Sequence, residues 1–224
     1  MEETSTDQEK RKFILSLIFP LFFIFLIWMV KIVEVGLELD FTSYGIYPHK
    51  LKGIFGIITA PFIHADFSHL INNSIPLFIL SAGIFYFYSP IAYRVFFLTW
   101  IITGVWVWLS AREAYHIGAS GLIYGFAFFL FFSGVFRKDV RLMAISILVV
   151  FLYGSIVWGI FPFFVQISWE SHLMGAVAGL FLAIIYRKYG PQRKRYDWEL
   201  EEDEENDEDN DYTKASGYIF PEED

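Results

Sequence analysis

The chain has 224 residues, enough for one compact domain or one bundle of membrane helices. At 55% hydrophobic and 21% aromatic it is too apolar for a soluble domain of this length, which excludes an ordinary soluble hydrolase. It has no cysteine, so disulfides, thiolate catalysis and cysteine-ligated metals are excluded as well, and most of the acid behind its formal charge of -8 sits in one terminal tail.

Residues 1–12 are polar, end in Lys10-Arg11-Lys12, and read as a short cytoplasmic segment. Phe13 to Val30 is an uncharged apolar run without the small-residue cleavage site of a signal peptide, and reads as a retained first span. Lys31 to His64 is a mixed connection punctuated by glycine and proline, expected to lie in the membrane interface. Its apolar part, Leu51 to Ile63, has the start of the second span as an alternative reading. Further apolar runs follow at Leu70 to Tyr88, Ile91 to Leu109, Ile117 to Val135 and Leu142 to Phe164. The sixth, Leu173 to Tyr186, falls short of the ~20 residues of a full span. It reaches that length by beginning near Ser168 and taking in Glu170 and His172. The fold expected is an all-α membrane protein, a six-span bundle over residues 13–188. Residues 189–224 form a basic, then strongly acidic, tail expected to be disordered.

Charge orients this bundle. With six spans both termini share a side, and that side carries twelve basic residues near span ends: Lys10, Arg11, Lys12, Arg94, Arg137, Lys138, Arg141, Arg187, Lys188, Arg193, Lys194 and Arg195. The opposite side carries four, Lys31, Lys50, Lys52 and Arg112. The excess places both termini in the cytoplasm.

A helix in lipid satisfies its own backbone, so polar side chains are what need explaining. Three groups stand out, all at outward-facing span ends. Gly118-Ala119-Ser120-Gly121, followed by Tyr124 and Gly125, opens the fourth span. A serine in a first helical turn lies near free N–H groups and the positive end of the helix dipole, which stabilise an oxyanion. Taken alone, such a string more often means small residues for helix packing. His172, Gly175 and Gly179 share one helical face, a histidine above two glycines. Pressed against the glycines of the fourth span, that face brings His172 within reach of Ser120, and histidine is the usual base for a serine nucleophile. The third group is His64, His69, Asn72 and Asn73. His69 and Asn73, one turn apart, aim two donors at one point, and Asp66 or Ser68 is placed to cap their helix. An interhelical hydrogen bond from Asn73 is the plainer alternative. His64 reads as a loop residue bonded to backbone, or as a metal ligand with His69, for which no third ligand follows.

In this order, His64-x4-His69-x3-Asn73, Gly118-Ala119-Ser120-Gly121 with Tyr124, and His172-x2-Gly175-x3-Gly179 resemble the rhomboid family of intramembrane serine proteases. The resemblance implies a Ser–His dyad of Ser120 and His172. It implies an oxyanion site of His69, Asn73 and the Ser120 N–H, and a ring of Tyr124 packed on His172. It implies single-span membrane proteins as substrates, cut near the outer face of a bacterial cytoplasmic membrane. It implies no cofactor, no metal and no nucleic acid, and leaves the oligomeric state open. The chain departs from the family in its first loop, where Gly45-Ile46-Tyr47-Pro48 stands in place of the Trp-Arg pair of many members. No seventh span or soluble domain is expected, as in the minimal bacterial form. Two other functions stay open from sequence: an inactive relative that binds membrane clients, and a small transporter, against which the apolar inner halves of the spans argue.

The charge bias generates a labelling experiment. A single cysteine at Ser5 or Ser216 should react with an impermeant maleimide only after the inner face is exposed, whereas one at Glu113 should react in intact cells. The reverse pattern would invert the orientation.

Overall fold

A computed structural model describes residues 5–152, 159, 161–162 and 168–190 of the chain. Among them the fold is all-helical, without a strand: α1 (Ser5–Gly36), α2 (Gly56–Thr59), α3 (Phe67–Phe87), α4 (Ala92–Ser110), α5 (Ser120–Arg137), α6 (Val140–Leu152) and α7 (Trp169–Ile185). Four of these, α1, α3, α4 and α5, are long and apolar enough to cross a membrane. Helix α7 is a shorter apolar helix of 17 residues, ~26 Å at 1.5 Å per residue.

Expected and observed boundaries differ by a few residues at most ends. The first helix is longer than the apolar run at both ends, because the charged residues flanking Phe13 to Val30 continue its helical turns. The stretch from Leu51 to Ile63 does not start the second span. It forms two 3-10 turns around the four-residue α2, and the chain is extended at Ile63 before α3 begins. Asp66, rather than Ser68, caps α3: its carboxylate accepts the His69 N–H at 2.8 Å. Most of the second half of the expected fifth span, most of the loop from Phe163 to Ser171, and the tail beyond Gly190 lie outside the described residues.

Helix α5 is the hub, packed against α3, α4, α6 and α7. On one flank Phe19, Phe23, Phe85, Phe96 and Trp100 interlock edge-to-face, joining α1, α3 and α4. On the other flank the contact with α7 has almost no side chain. A Cβ on Gly175 would overlap the carbonyl oxygen of Gly121, and one on Gly179 would overlap that of Gly125. These are the glycine faces read from the sequence. Lipid tails are as apolar as leucine, so burial does not drive such a pair together; close backbone packing does.

The two ends of the bundle are held by different means. At the C-terminal ends of α3, α5 and α7, the buried Arg137 donates to the Tyr88 hydroxyl at 3.0 Å, to the Ser133 carbonyl at 3.2 Å, and to the carbonyls of Tyr186 and Tyr189. One guanidinium thus collects carbonyls and a phenol from three helix ends, as its planar fork of donors allows. At the other end lie the N-termini of α3, α5 and α7 and the C-terminus of α1, and there the candidate polar residues gather.

The glycine contact predicts an asymmetric response to added volume. Gly179→Leu should separate α5 from α7 and lower the thermal unfolding midpoint in detergent, with a loss of about 1–3 kcal/mol or more. Gly36→Ala, at a position with no atom within 4 Å of the added carbon, should leave the midpoint unchanged. Equal midpoints for both variants would show that the close approach does not hold the bundle.

Candidate active site

Ser120 is the first residue of α5, directly after the fully buried Ala119. The first N–H groups of a helix have no acceptor within it, so the Ser120 oxygen and free backbone donors occupy the same small volume. The chain reaches this point through Gly118 at φ +101°, a left-handed conformation that favours glycine. The Gly118 N–H is anchored on the Ala60 carbonyl at 2.9 Å.

His172 lies in the first turn of α7, directly across the glycine contact. Its Nδ1 is 2.8 Å from the Gly159 carbonyl and its Nε2 is 2.8 Å from Ser120 Oγ. A carbonyl only accepts, so Nδ1 carries the proton and donates it to Gly159. In the neutral ring Nε2 is then bare and accepts from the Ser120 hydroxyl. The bond at one nitrogen thereby sets the tautomer in which the other can take a proton from serine. The Tyr124 ring, one turn after Ser120, stacks on the imidazole with centroids 4.3 Å apart and an interplanar angle of 13°. It closes the face of the histidine that the glycine contact leaves open.

His69 and Asn73 approach from α3. A Cβ on Gly118 would come within 2.8 Å of His69 Nε2 and 3.5 Å of Asn73 Nδ2, so both side chains converge two residues before Ser120. Asn73 Nδ2 is buried and has no hydrogen-bond partner in the protein. A buried amide N–H without an acceptor costs about 1–3 kcal/mol, an expense that makes sense where an acceptor arrives later. His64 sits behind His69, ring centroids 4.9 Å apart, with neither nitrogen satisfied. Burial first, and His69 next, push its pKa down to about 3, so the ring is neutral.

Sequence reasoning missed several residues that hold this arrangement. Gly159 supplies the acceptor for His172, and a side chain there would collide with the Tyr124 hydroxyl and the imidazole. Lys31, read from the sequence only as a topology charge, is buried and donates to Glu34 at 2.8 Å and to the carbonyls of His64 and Ala65 at 2.9 and 3.0 Å. It pins the segment from which α3 sets out. Glu34 in turn accepts the Phe41 N–H at 2.8 Å. Glu170, buried and two residues from His172, turns away from it and pairs with Arg112 at 3.5 Å. The only signal available beforehand was that a lysine or a glutamate at a span end must find a partner. A cavity of about 30 Å³, room for about one water, lies between the first loop, α4 and the residues flanking Ser120, lined by Thr103, His116, Gly118, Gly121 and Ser171 among others. Thr103 Oγ1 is buried there without a partner.

The rhomboid domain model matches residues 52–189, more than half of the chain, a range that includes His64, His69, Asn73, Ser120, Tyr124 and His172. The chain belongs to the rhomboid family. That family is one of helical intramembrane serine proteases, which makes this rhomboid a multi-pass integral membrane protein. Its relatives include uncharacterized proteins of Mycobacterium tuberculosis and Mycobacterium bovis, each 37% identical over 188 residues that cover 77% of this chain and 75% of the relative. An uncharacterized protein of Mycobacterium leprae is 32% identical over 209 residues, covering 86% and 78%.

The Lys31 clamp predicts a stability effect that depends on its partner. Removing one member of a buried ion pair costs on the order of 3–5 kcal/mol because the other charge is left uncompensated. Lys31→Met should therefore lower the unfolding midpoint of this rhomboid sharply, and Lys31→Met with Glu34→Gln should recover part of the loss. If the double variant is no better than the single one, the pair carries no such coupling.

Proposed function

We propose that this rhomboid cleaves single-span membrane proteins with Ser120 as nucleophile and His172 as general base. The reading rests above all on the 2.8 Å approach of Ser120 Oγ to His172 Nε2 while Nδ1 is held by the Gly159 carbonyl. Ser120 attacks the scissile carbonyl and passes its proton to Nε2. The oxyanion is received by His69, Asn73 and the Ser120 N–H. His172 then protonates the leaving amine, and water, drawn through the same base, hydrolyses the acyl-enzyme. The unpartnered Asn73 Nδ2 supports the oxyanion step. Glu170, the carboxylate nearest His172 in sequence, pairs with Arg112 instead of serving as a third member.

On this reading an even number of spans puts both termini on one side, the excess of basic residues makes that side the cytoplasm, and the reacting group lies at the opposite membrane face. A transmembrane substrate would be cut where its helix unwinds near that face, because hydrogen-bonded helix carbonyls are shielded.

Cleavage of a single-span substrate in proteoliposomes tests this. Ser120→Ala and His172→Ala should each abolish cleavage and fluorophosphonate labelling while the protein still inserts and folds. Asn73→Ala or His69→Ala should slow turnover by about 10²–10³, the usual loss of one oxyanion donor. Undiminished cleavage by Ser120→Ala would refute the dyad. A folded wild type that neither cleaves nor labels would favour an inactive, client-binding relative.

A further inference from the structure

His116 is buried in the loop between α4 and α5, four residues before Ser120. Its ring and backbone join three parts of the chain that are far apart in sequence. Its backbone exchanges both hydrogen bonds with Ile46 in the first loop, at 2.8 and 3.0 Å. Its Nε2 lies 3.0 Å from the Arg112 carbonyl, and its Nδ1 lies 2.5 Å from Ser168 Oγ, the residue that opens α7. Ser168 Oγ is in turn 2.6 Å from Ser171 Oγ, next to His172.

The direction of this chain is fixed by its end. The Arg112 carbonyl can only accept, so Nε2 donates to it, and in the neutral ring Nδ1 accepts from the Ser168 hydroxyl. Ser168 has then spent its proton and accepts from Ser171. Burial lowers the pKa of His116, against the raising influences of the Arg112 carbonyl and Glu170, which favours the neutral form this chain requires. The Arg112–Glu170 pair runs beside it between the same two segments.

We propose that His116 is a positioning residue for the reacting pair: through Ser168 and Ser171 it fixes the first turn of α7, and hence His172, to the loop that presents Ser120. The glycine contact sets how closely α5 and α7 approach but, having no side chains, does little to stop one helix sliding or turning on the other. Beside the Ser120–His172 bond and the Arg112–Glu170 pair, this chain of one imidazole and two hydroxyls ties the serine loop to the start of α7. The same residue carries the first loop, so Ile46 moves with the site. The loop lacks the Trp-Arg pair of many members, and its backbone pairing with His116 supplies an anchor at this point.

The kinetic part of the proposal rests on the dyad reading; the structural part does not, and the experiment separates them. Hydrogen exchange is measured on the full-length protein in detergent for wild type, His116→Ala, Ser168→Ala and His116→Asn. In His116→Asn the amide oxygen takes the place of Nδ1 and can still accept from Ser168. Amides in the first turn of α7, residues 169–173, should exchange about tenfold faster in His116→Ala and Ser168→Ala than in wild type, and return towards wild type in His116→Asn. Cleavage of the single-span substrate by the same proteins should show kcat reduced about ten- to a hundredfold in His116→Ala with KM nearly unchanged, because misplacement of the base affects the chemical step and not docking. The His116→Ala/Ser168→Ala double variant should be no worse than the poorer single one, as expected for two members of one chain. Wild-type exchange in a folded His116→Ala overturns the proposal whether or not the protein cleaves. So does strict additivity of the two substitutions. Faster exchange without any wild-type cleavage would uphold the tie and refute the dyad reading instead.

Discussion

Helices α5 and α7 meet through glycine, and most of the site's geometry follows from that contact. Gly175 and Gly179 leave no room for a Cβ against the carbonyls of Gly121 and Gly125, so the two backbones run at van der Waals distance along two turns. Ser120 directly precedes Gly121, and His172 stands about one turn before Gly175, so both lie at the same end of the contact. With the axes this close, a short hydroxyl and an imidazole span the remaining gap at 2.8 Å. Bulkier faces would put the same two side chains out of reach of each other, whatever their rotamers. In a bilayer the contact is also self-consistent: where hydrophobic burial offers little, close packing of small residues is what brings helices together.

Around that contact the protein orients its polar groups mainly with backbone carbonyls. Gly159 holds the Nδ1 proton of His172, Arg112 holds the Nε2 proton of His116, and His64 and Ala65 hold the Lys31 ammonium. A carbonyl is a fixed acceptor without charge. A carboxylate in the same place would cost about 2.5–3.5 kcal/mol to insert at the centre of a membrane helix, and would need a cation beside it. The two buried carboxylates at this end of the bundle do have such cations, Glu34 with Lys31 and Glu170 with Arg112. Both lie at helix ends, and both fasten a loop to a helix rather than face His172.

The polar end and the opposite end also divide their tasks. Arg137 ties the C-terminal ends of α3, α5 and α7 through Tyr88, Tyr186 and Tyr189, and among the described residues Ser133 Oγ and Arg137 Nε are the buried side-chain atoms there without a partner. At the polar end Asn73 Nδ2, Thr103 Oγ1 and both nitrogens of His64 are buried without partners. Buried polar groups of this kind are rare because each costs free energy. Of these, Asn73 Nδ2 lies beside Gly118, two residues before Ser120.

The sequence by itself determined the all-helical class, the family, the cap at Asp66 as one of two choices, and the paired faces of Gly118, Gly121 and Gly125 with His172, Gly175 and Gly179. Each of these is written in a local period, 3.6 residues for a helix face or about 20 for an apolar run, so it can be read without knowing what lies across from it. The tertiary structure alone decided what faces those patterns. That Lys31 clamps the segment ahead of α3, that Gly159 orients His172, and that His116 joins the first loop to α7 are all relations between residues 13 to 70 positions apart. Their acceptors are mostly backbone carbonyls, which every residue possesses. A carbonyl leaves no mark in the sequence, and only folding selects which one a side chain meets.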